Sequence, residues 1–74
     1  MERTSLHDRI AATLRAARVR SGLSQRQLAA KIGTNQTRIA LTETGDQNVR
    51  LVEFVEWCGA TGIDPVEALR SVVG

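Results

Sequence analysis

The sequence predicts an all-α fold of five short helices. Apolar residues recur at intervals of three and four residues in five segments, as they do on the buried face of an amphipathic helix. No segment alternates apolar and polar residues over the length of a strand. Glycines and helix-capping residues separate the five segments. The 74 residues are expected to form one domain, residues 1–74.

The composition favours an ordinary globular protein of the cytoplasm. Apolar residues make up 42% of the chain and charged residues 24%. Cys58 is the only cysteine, so no disulfide forms within the chain, which suits a reducing compartment. Neither a signal peptide nor a membrane span is predicted. His7 is the only histidine and is expected on the surface, so we predict no metal, no cofactor and no enzymatic activity.

Charge is distributed unevenly along the chain. Residues 1–42 contain eight Lys and Arg against two Asp and Glu, a net charge of +6. Residues 43–74 contain two against six, a net charge of −4. A basic half suits a polyanion, although arginine-rich helix faces are also common as simple solvated surfaces.

Helix 1 is predicted over about residues 6–20. Ser5 and Asp8 have the spacing of a capping box at its start, and Ser21 and Gly22 end it. Four apolar residues then share one face of the helix: Leu6, Ile10, Leu14 and Ala17.

Helices 2 and 3 are predicted over about residues 25–32 and 36–42. Ser24 and Gln27 form a capping box that starts helix 2, and Gly33 is the left-handed residue that stops it. Asn35 caps helix 3 directly afterwards. Only Ile39 is clearly a core residue of helix 3.

Helices 4 and 5 are predicted over about residues 49–59 and 65–72. Asn48 is the best candidate for the N-cap of helix 4. Asp64 caps helix 5, with Pro65 at its first position. Leu69 and Val72 are expected to pack inward.

The first turn of helix 3 is polar, which a helix built only for packing does not require. Two short helices joined at a glycine are typical of a helix-turn-helix, whose second helix lies in the major groove of DNA. Gln pairs with adenine, Thr contacts thymine, and Arg reaches guanine or phosphate. The pattern therefore favours double-stranded DNA as a partner, although short polar helices also occur without a ligand.

Residues 14–65 closely resemble the Cro/repressor-type helix-turn-helix family of bacterial and phage regulators, also called the xenobiotic-response-element family. The matching residues are Arg18, "GLSQ" at 22–25, "LA" at 28–29, "IG" at 32–33, Ile39, "E-x-G" at 43–45 and "GIDP" at 62–65. The resemblance implies a compact five-helix, lambda-repressor-like DNA-binding domain. It also implies binding to palindromic operator DNA as a homodimer.

The resemblance further implies roles for individual residues. Gln36, Thr37 and Leu41 match base-contacting positions, and Arg18 and Glu43 match a buried structural ion pair. Ser24, Gln25, Thr44 and Asn48 match positions that usually contact the DNA backbone, and Gln25 often bonds the residue at position 36. Together with the polar and basic side chains nearby, the expected phosphate contacts are Ser24, Gln25, Arg26, Asn35, Arg38, Thr44 and Asn48.

Several departures from the family pattern make the DNA-facing rim less basic. Leu41, Thr44 and Asp46 stand where relatives often have polar or basic residues, and Arg50 stands where relatives often have the cap of helix 4. Each lost phosphate contact lowers affinity and its salt dependence. We therefore expect weaker binding than that of a strong phage repressor.

The apolar residues of helices 4 and 5 leave two interpretations open. Trp57, Val72 and Val73 could form a homodimer interface, or Trp57 could simply close the core. The chain is accordingly predicted to be a DNA-binding transcriptional regulator, in particular a dimeric repressor. The alternative is an antitoxin-like or anti-regulator module that binds a second protein.

Overall fold

The computed structural model describes residues 5–74, and within them it contains the five predicted helices and no strand. The helices are α1 (Leu6–Ser21), α2 (Gln25–Ile32), α3 (Gln36–Thr44), α4 (Leu51–Thr61) and α5 (Pro65–Val73). Helix α1 packs against α3, α4 and α5, and α2 packs against α3 and α4. The all-α fold class is confirmed.

Local capping fixes the turn between α2 and α3. The Ser24 hydroxyl accepts from the Gln27 N–H at 3.0 Å, and the Gln27 amide oxygen accepts from the Ser24 N–H at 2.8 Å. Gly33 has a φ of 79°, a left-handed conformation that favours glycine. The Asn35 side chain accepts from the Arg38 N–H at 2.9 Å. The start of α3 is thus held at a fixed point relative to α2.

Helices α3 and α4 each extend two residues beyond their predicted ends, and α4 also starts later than predicted. Helices α3 and α4 end at Thr44 and Thr61, because Gly45 and Gly62 supply the left-handed residues that terminate them. Helix α4 begins at Leu51 rather than at 49, so Asn48 does not cap it. Arg50 is the N-cap residue.

Aliphatic residues from α1, α2 and α3 meet the aromatic residues of α4 in the core. The largest fully buried side chains are Leu14, Leu28, Ile39 and Cys58. Leu69 was expected to pack inward, but it is half exposed at the surface of α5.

The assignment of Trp57 and Val72 to a dimer interface is wrong. Their exposed fractions are 3% and 2%, so neither side chain is presented to a second subunit. The indole N–H of Trp57 donates to the carbonyl oxygen of Leu14 at 2.9 Å, which gives the buried ring its required partner. Trp57 therefore joins α4 to α1, while Val73 at the end of α5 is exposed.

Replacing Trp57 with phenylalanine is expected to lower the free energy of unfolding by about 1–3 kcal/mol. The smaller ring leaves a void and removes the bond to Leu14. Urea denaturation followed by circular dichroism measures the effect. Glu56→Ala on the exposed side of α4 is the control, with an expected change within about 0.5 kcal/mol. If the two variants were equally stable, the contribution of the indole to the core would be contradicted.

Candidate nucleic-acid interface

Helix α3 has one buried side and one exposed side. Ile39 and Thr42 face the core, whereas Gln36 and Thr37 are exposed and Leu41 is 38% exposed. The hydroxyl of Thr42 donates to the Arg38 carbonyl at 2.8 Å, so this buried polar group has a partner. The three side chains predicted to contact bases therefore remain accessible.

Side chains from α2 and α3 meet at the start of these helices. The Gln36 amide nitrogen donates to the Gln25 amide oxygen at 3.4 Å. The Arg26 Nε donates to the Gln36 amide oxygen at 3.2 Å. The structure thus brings three predicted DNA-contacting residues into one hydrogen-bonded group.

An ion pair between α1 and the end of α3 lies directly behind this group. The Arg18 guanidinium donates through two of its nitrogens to the two oxygens of Glu43. The side chain of Glu43 is only 3% exposed and that of Arg18 12%. Arg18 also donates to the Leu23 carbonyl at 2.8 Å, and Gln25 donates to Glu43 at 3.1 Å. One carboxylate therefore connects α1, α2 and α3.

The orientation of Arg38 differs from the one expected of a phosphate contact. Its guanidinium turns toward α4 and pairs with Glu53, with Nε at 3.0 Å from the carboxylate oxygen. Glu53 also accepts from the Arg50 N–H at 3.0 Å, where it caps α4. With Asn48 predicted as the N-cap, the sequence did not indicate that Glu53 lies in the first turn of α4.

The contacts of Glu53 lower the pKa of its carboxyl from the ordinary value of 4.5. Burial acts in the opposite direction and raises the pKa. The hydrogen bond from the Arg50 N–H, the hydrogen bond from Arg38 and the positive charges of both arginines outweigh it. The ionised carboxylate is therefore the form that the fold prefers.

The stability contributed by Glu53 is expected to be lost in acid. Because its folded pKa lies below that of the unfolded chain, the contribution is full above pH 4.5 and declines as the pH falls through the lowered value. Glu53→Gln should therefore lose less stability than the unmodified protein between about pH 6 and about pH 3. Glu56→Gln, on the exposed side of α4, is the control. An unchanged acid dependence in Glu53→Gln would contradict this prediction.

The remaining predicted phosphate contacts are polar and accessible. Ser24 and Asn35 are exposed residues whose side chains cap α2 and α3, and Asn48 is exposed in the turn before α4. The Thr44 hydroxyl lies 3.0 Å from both the Leu41 carbonyl and the Asp46 carboxylate. Asp46 therefore places a negative charge at the rim beside α3.

Arg15 is a cation near this surface that sequence reasoning did not select. Its Nε lies 3.8 Å from the Glu43 carboxylate that Gln25 also contacts, and its side chain is 63% exposed. The signal for it was weak, because Arg15 is only one of several arginines on α1 and the contact spans 28 positions of the chain.

His7 and Cys58 are both at least partly buried in the fold. His7 is half-buried rather than on the open surface, and its Nε2 lies 3.1 Å from the Gln47 carbonyl. Burial raises the pKa of the Cys58 thiol, and the Asp64 charge raises it further.

Among residues 5–74, no group of three or more His, Cys, Asp and Glu residues could hold a metal ion. No helix in that range is long and apolar enough to span a membrane.

The five-helix fold and the exposed polar turn of α3 define a helix-turn-helix domain of the DNA-binding regulator type. A family model described as a helix-turn-helix domain matches residues 9–70, so the chain belongs to that family. A comparison with curated protein sequences finds no significant match.

Solved structures of bacterial regulators share the fold. The restriction-modification controller protein C.AhdI from Aeromonas hydrophila is 32% identical, with a TM-score of 0.78 over 84% of this chain and 90% of its own. An XRE-family-like protein from Pseudomonas syringae is 28% identical, with a TM-score of 0.83 over 92% and 83%. The clp gene regulator ClgR from Corynebacterium glutamicum is 24% identical, with a TM-score of 0.89 over 97% of this chain and 94% of its own. At this level of identity the similarity establishes a shared fold and nothing more. The resemblance to Cro/repressor-type regulators is confirmed.

Proposed function

We propose that this protein is a cytoplasmic transcriptional repressor that binds a palindromic DNA operator as a homodimer. The observation that carries the proposal is the division of α3 into two sides. Ile39 and Thr42 hold the helix against the core, whereas Gln36 and Thr37 project from its first turn into solvent. A helix presented in this way fits the width of the DNA major groove.

Three exposed side chains of α3 supply the contacts that read base pairs. Gln36 has an amide that pairs with the major-groove edge of adenine, which offers one acceptor and one donor. Thr37 bonds a base edge or contacts the methyl group of thymine. Leu41 is partly exposed and supplies an apolar contact to a thymine methyl. The face is consequently suited to an operator rich in A·T pairs.

Phosphate contacts come from the start of α2 and the residues around it. The backbone N–H groups of Gln25 and Arg26, which have no partner within the helix, and the positive end of the helix dipole favour an anion at the start of α2. Arg26 is exposed beside them, and Arg15 adds a cation from α1. Arg38 contributes less charge to this surface than the sequence predicted, because Glu53 pairs with it.

The exposed apolar side chains of α4 and α5 support a dimer. These side chains are Leu51, Val52, Val55, Val66, Leu69 and Val73. Leu51 and Leu69 line a common cavity of about 180 Å³ between the two helices. A second copy of the chain covering this surface would remove it from water, as the closed symmetry of a dimer allows. Val73 remains in the proposed interface, whereas the buried Trp57 and Val72 do not.

Selection of bound DNA from a random library tests the function and the assembly together. The expected product is a two-fold symmetric motif whose half-sites are about 34 Å apart, bound more weakly as salt increases. Sedimentation of the free protein and of the complex measures the number of subunits. Enrichment of no motif, or binding that is independent of salt, would contradict the proposal.

One observation favours a second candidate, an antitoxin-like module that binds a protein partner. Asp46 lies at the rim of α3, and the charge of Arg38 is paired with Glu53, so the surface around α3 is less basic than the sequence alone suggests. Co-purification with the product of a neighbouring gene, together with no shift of any DNA fragment, would favour this candidate.

A further inference from the structure

Four side chains of α2 and α3 form one continuous series of hydrogen bonds. Glu43 accepts from the Gln25 amide nitrogen at 3.1 Å, and the Gln25 oxygen accepts from the Gln36 nitrogen at 3.4 Å. The Gln36 oxygen accepts from the Arg26 Nε at 3.2 Å. We call this series, Glu43–Gln25–Gln36–Arg26, the amide chain.

Each end of the amide chain can play only one role in a hydrogen bond. An ionised carboxylate such as Glu43 only accepts hydrogen bonds, and a guanidinium such as Arg26 only donates them. Gln25 must therefore turn its NH₂ group to Glu43, and Gln36 must turn its oxygen to Arg26. Rotating either amide by half a turn would place two acceptors or two donors against each other. The orientation of both amides follows from the residues at the ends and not from an arbitrary choice between oxygen and nitrogen.

The acceptor end of the chain is rigid, whereas the donor end is open to solvent. Glu43 is 3% exposed and is held by the guanidinium of Arg18. Arg26 is exposed, and its two terminal nitrogens are not used by the amide chain. These nitrogens can contact a phosphate while Nε holds Gln36. Arg26 thus combines a DNA contact with an orienting contact.

A fixed amide at position 36 discriminates between the two purines. Gln36 retains one N–H and one lone pair that the amide chain does not use. Adenine presents the matching pair, the N7 acceptor and the N6 donor, whereas guanine presents two acceptors, N7 and O6. With the Gln36 oxygen held in place, guanine would set O6 against another acceptor. An amide free to rotate could instead offer its NH₂ group to guanine.

We propose that Arg26 and Glu43 are positioning residues that restrict the base preference of Gln36 to adenine by fixing the direction of its amide. This inference rests on the proposed binding of DNA by α3. It assigns to Arg26 a role in sequence preference, in addition to the phosphate contact predicted for it.

Arg26→Gln and Arg26→Lys form the test pair. Glutamine can both donate and accept hydrogen bonds, so Arg26→Gln removes the group that can only donate. Lysine can only donate, so Arg26→Lys keeps both the donor and the positive charge. Arg20→Gln, an exposed arginine near the end of α1 outside the amide chain, controls for the loss of one positive charge. Competition binding measures the preference for adenine over guanine at the base pair whose selectivity disappears in Gln36→Ala.

The unmodified protein is expected to prefer adenine at that position by about tenfold or more. Arg26→Gln should prefer adenine less strongly, because Gln36 is then oriented only from the Glu43 end of the chain, while Arg26→Lys and Arg20→Gln retain the full preference. In the free protein, the NMR signals of the Gln36 side-chain NH₂ group should shift in Arg26→Gln, because Arg26 is ten positions away in the chain and meets Gln36 only through the amide chain. These amide signals report the chain without DNA.

Two results would overturn the proposal. Arg26→Gln could weaken binding to all sequences equally and keep its full preference for adenine, which would make Arg26 a phosphate contact only. Alternatively, the Gln36 side-chain amide signals could remain unchanged in Arg26→Gln. Absence of any DNA binding by the unmodified protein is a different result, because it overturns the proposed function as well.

Discussion

Replacing Arg18 with methionine is expected to lower the free energy of unfolding by about 3–5 kcal/mol. The substitution leaves the Glu43 carboxylate in a site where it is only 3% exposed, without the guanidinium that neutralises it. A domain of this length has a total stability of about 4–11 kcal/mol, so much of the variant should be unfolded at moderate urea concentration. Urea denaturation monitored by circular dichroism measures the loss.

Two further variants identify the cause of this loss. Arg18→Met combined with Glu43→Met removes both charges and is expected to recover part of the stability, because no buried carboxylate is left unpaired. Arg70→Met breaks a pair with Glu67 whose side chains are both largely exposed, and it should cost at most about 1 kcal/mol. If Arg18→Met cost no more than Arg70→Met, the buried position of the ion pair would be contradicted.

Replacing Gln36 with alanine is expected to weaken binding to the selected operator by about 1–3 kcal/mol in each half-site. For a dimer that uses both copies, the loss is about 2–6 kcal/mol, or roughly 30-fold or more. Gln36 is exposed, so stability should change little. Fluorescence anisotropy titrations with the operator and with an unrelated duplex measure both affinities at one salt concentration.

Comparing the two duplexes distinguishes a base contact from a general one. Binding to the unrelated duplex should change little, because phosphate contacts dominate non-specific affinity. Arg70→Ala on α5 lies outside the proposed DNA surface and serves as the matched control. An equal loss of affinity for the two duplexes in Gln36→Ala would show that this side chain does not read a base.

Local signals in the sequence located the helices but misplaced the start of α4. The capping box of Ser24 and Gln27 and the left-handed Gly33 involve only residues within a few positions of one another, so the sequence displays them directly. The start of α4 depends on Glu53, which bonds the Arg50 N–H and also meets Arg38 across 15 residues. A cap chosen by residue type at Asn48 could not include that distant partner.

The candidate site shows the same division between local and distant information. A polar first turn with Ile39 as the main inward residue indicated which side of α3 faces solvent. An apolar stripe on α4 did not reveal whether Trp57 faces the core or a second subunit. That choice depends on the Leu14 carbonyl, 43 positions away. The contact of Gln25 with Glu43 likewise joins residues 18 positions apart and has no periodic signature.

The shared carboxylate of Glu43 limits how the proposed DNA-binding surface can be redesigned. Substituting Gln25 would change a hydrogen-bond partner of a buried charge, so an altered sequence preference at that position would come with altered folding. Thr37 and Leu41 reach solvent without contacting that carboxylate, and they can be randomised in a library while the scaffold is kept. Engineered variants with new targets are therefore best sought at these two positions.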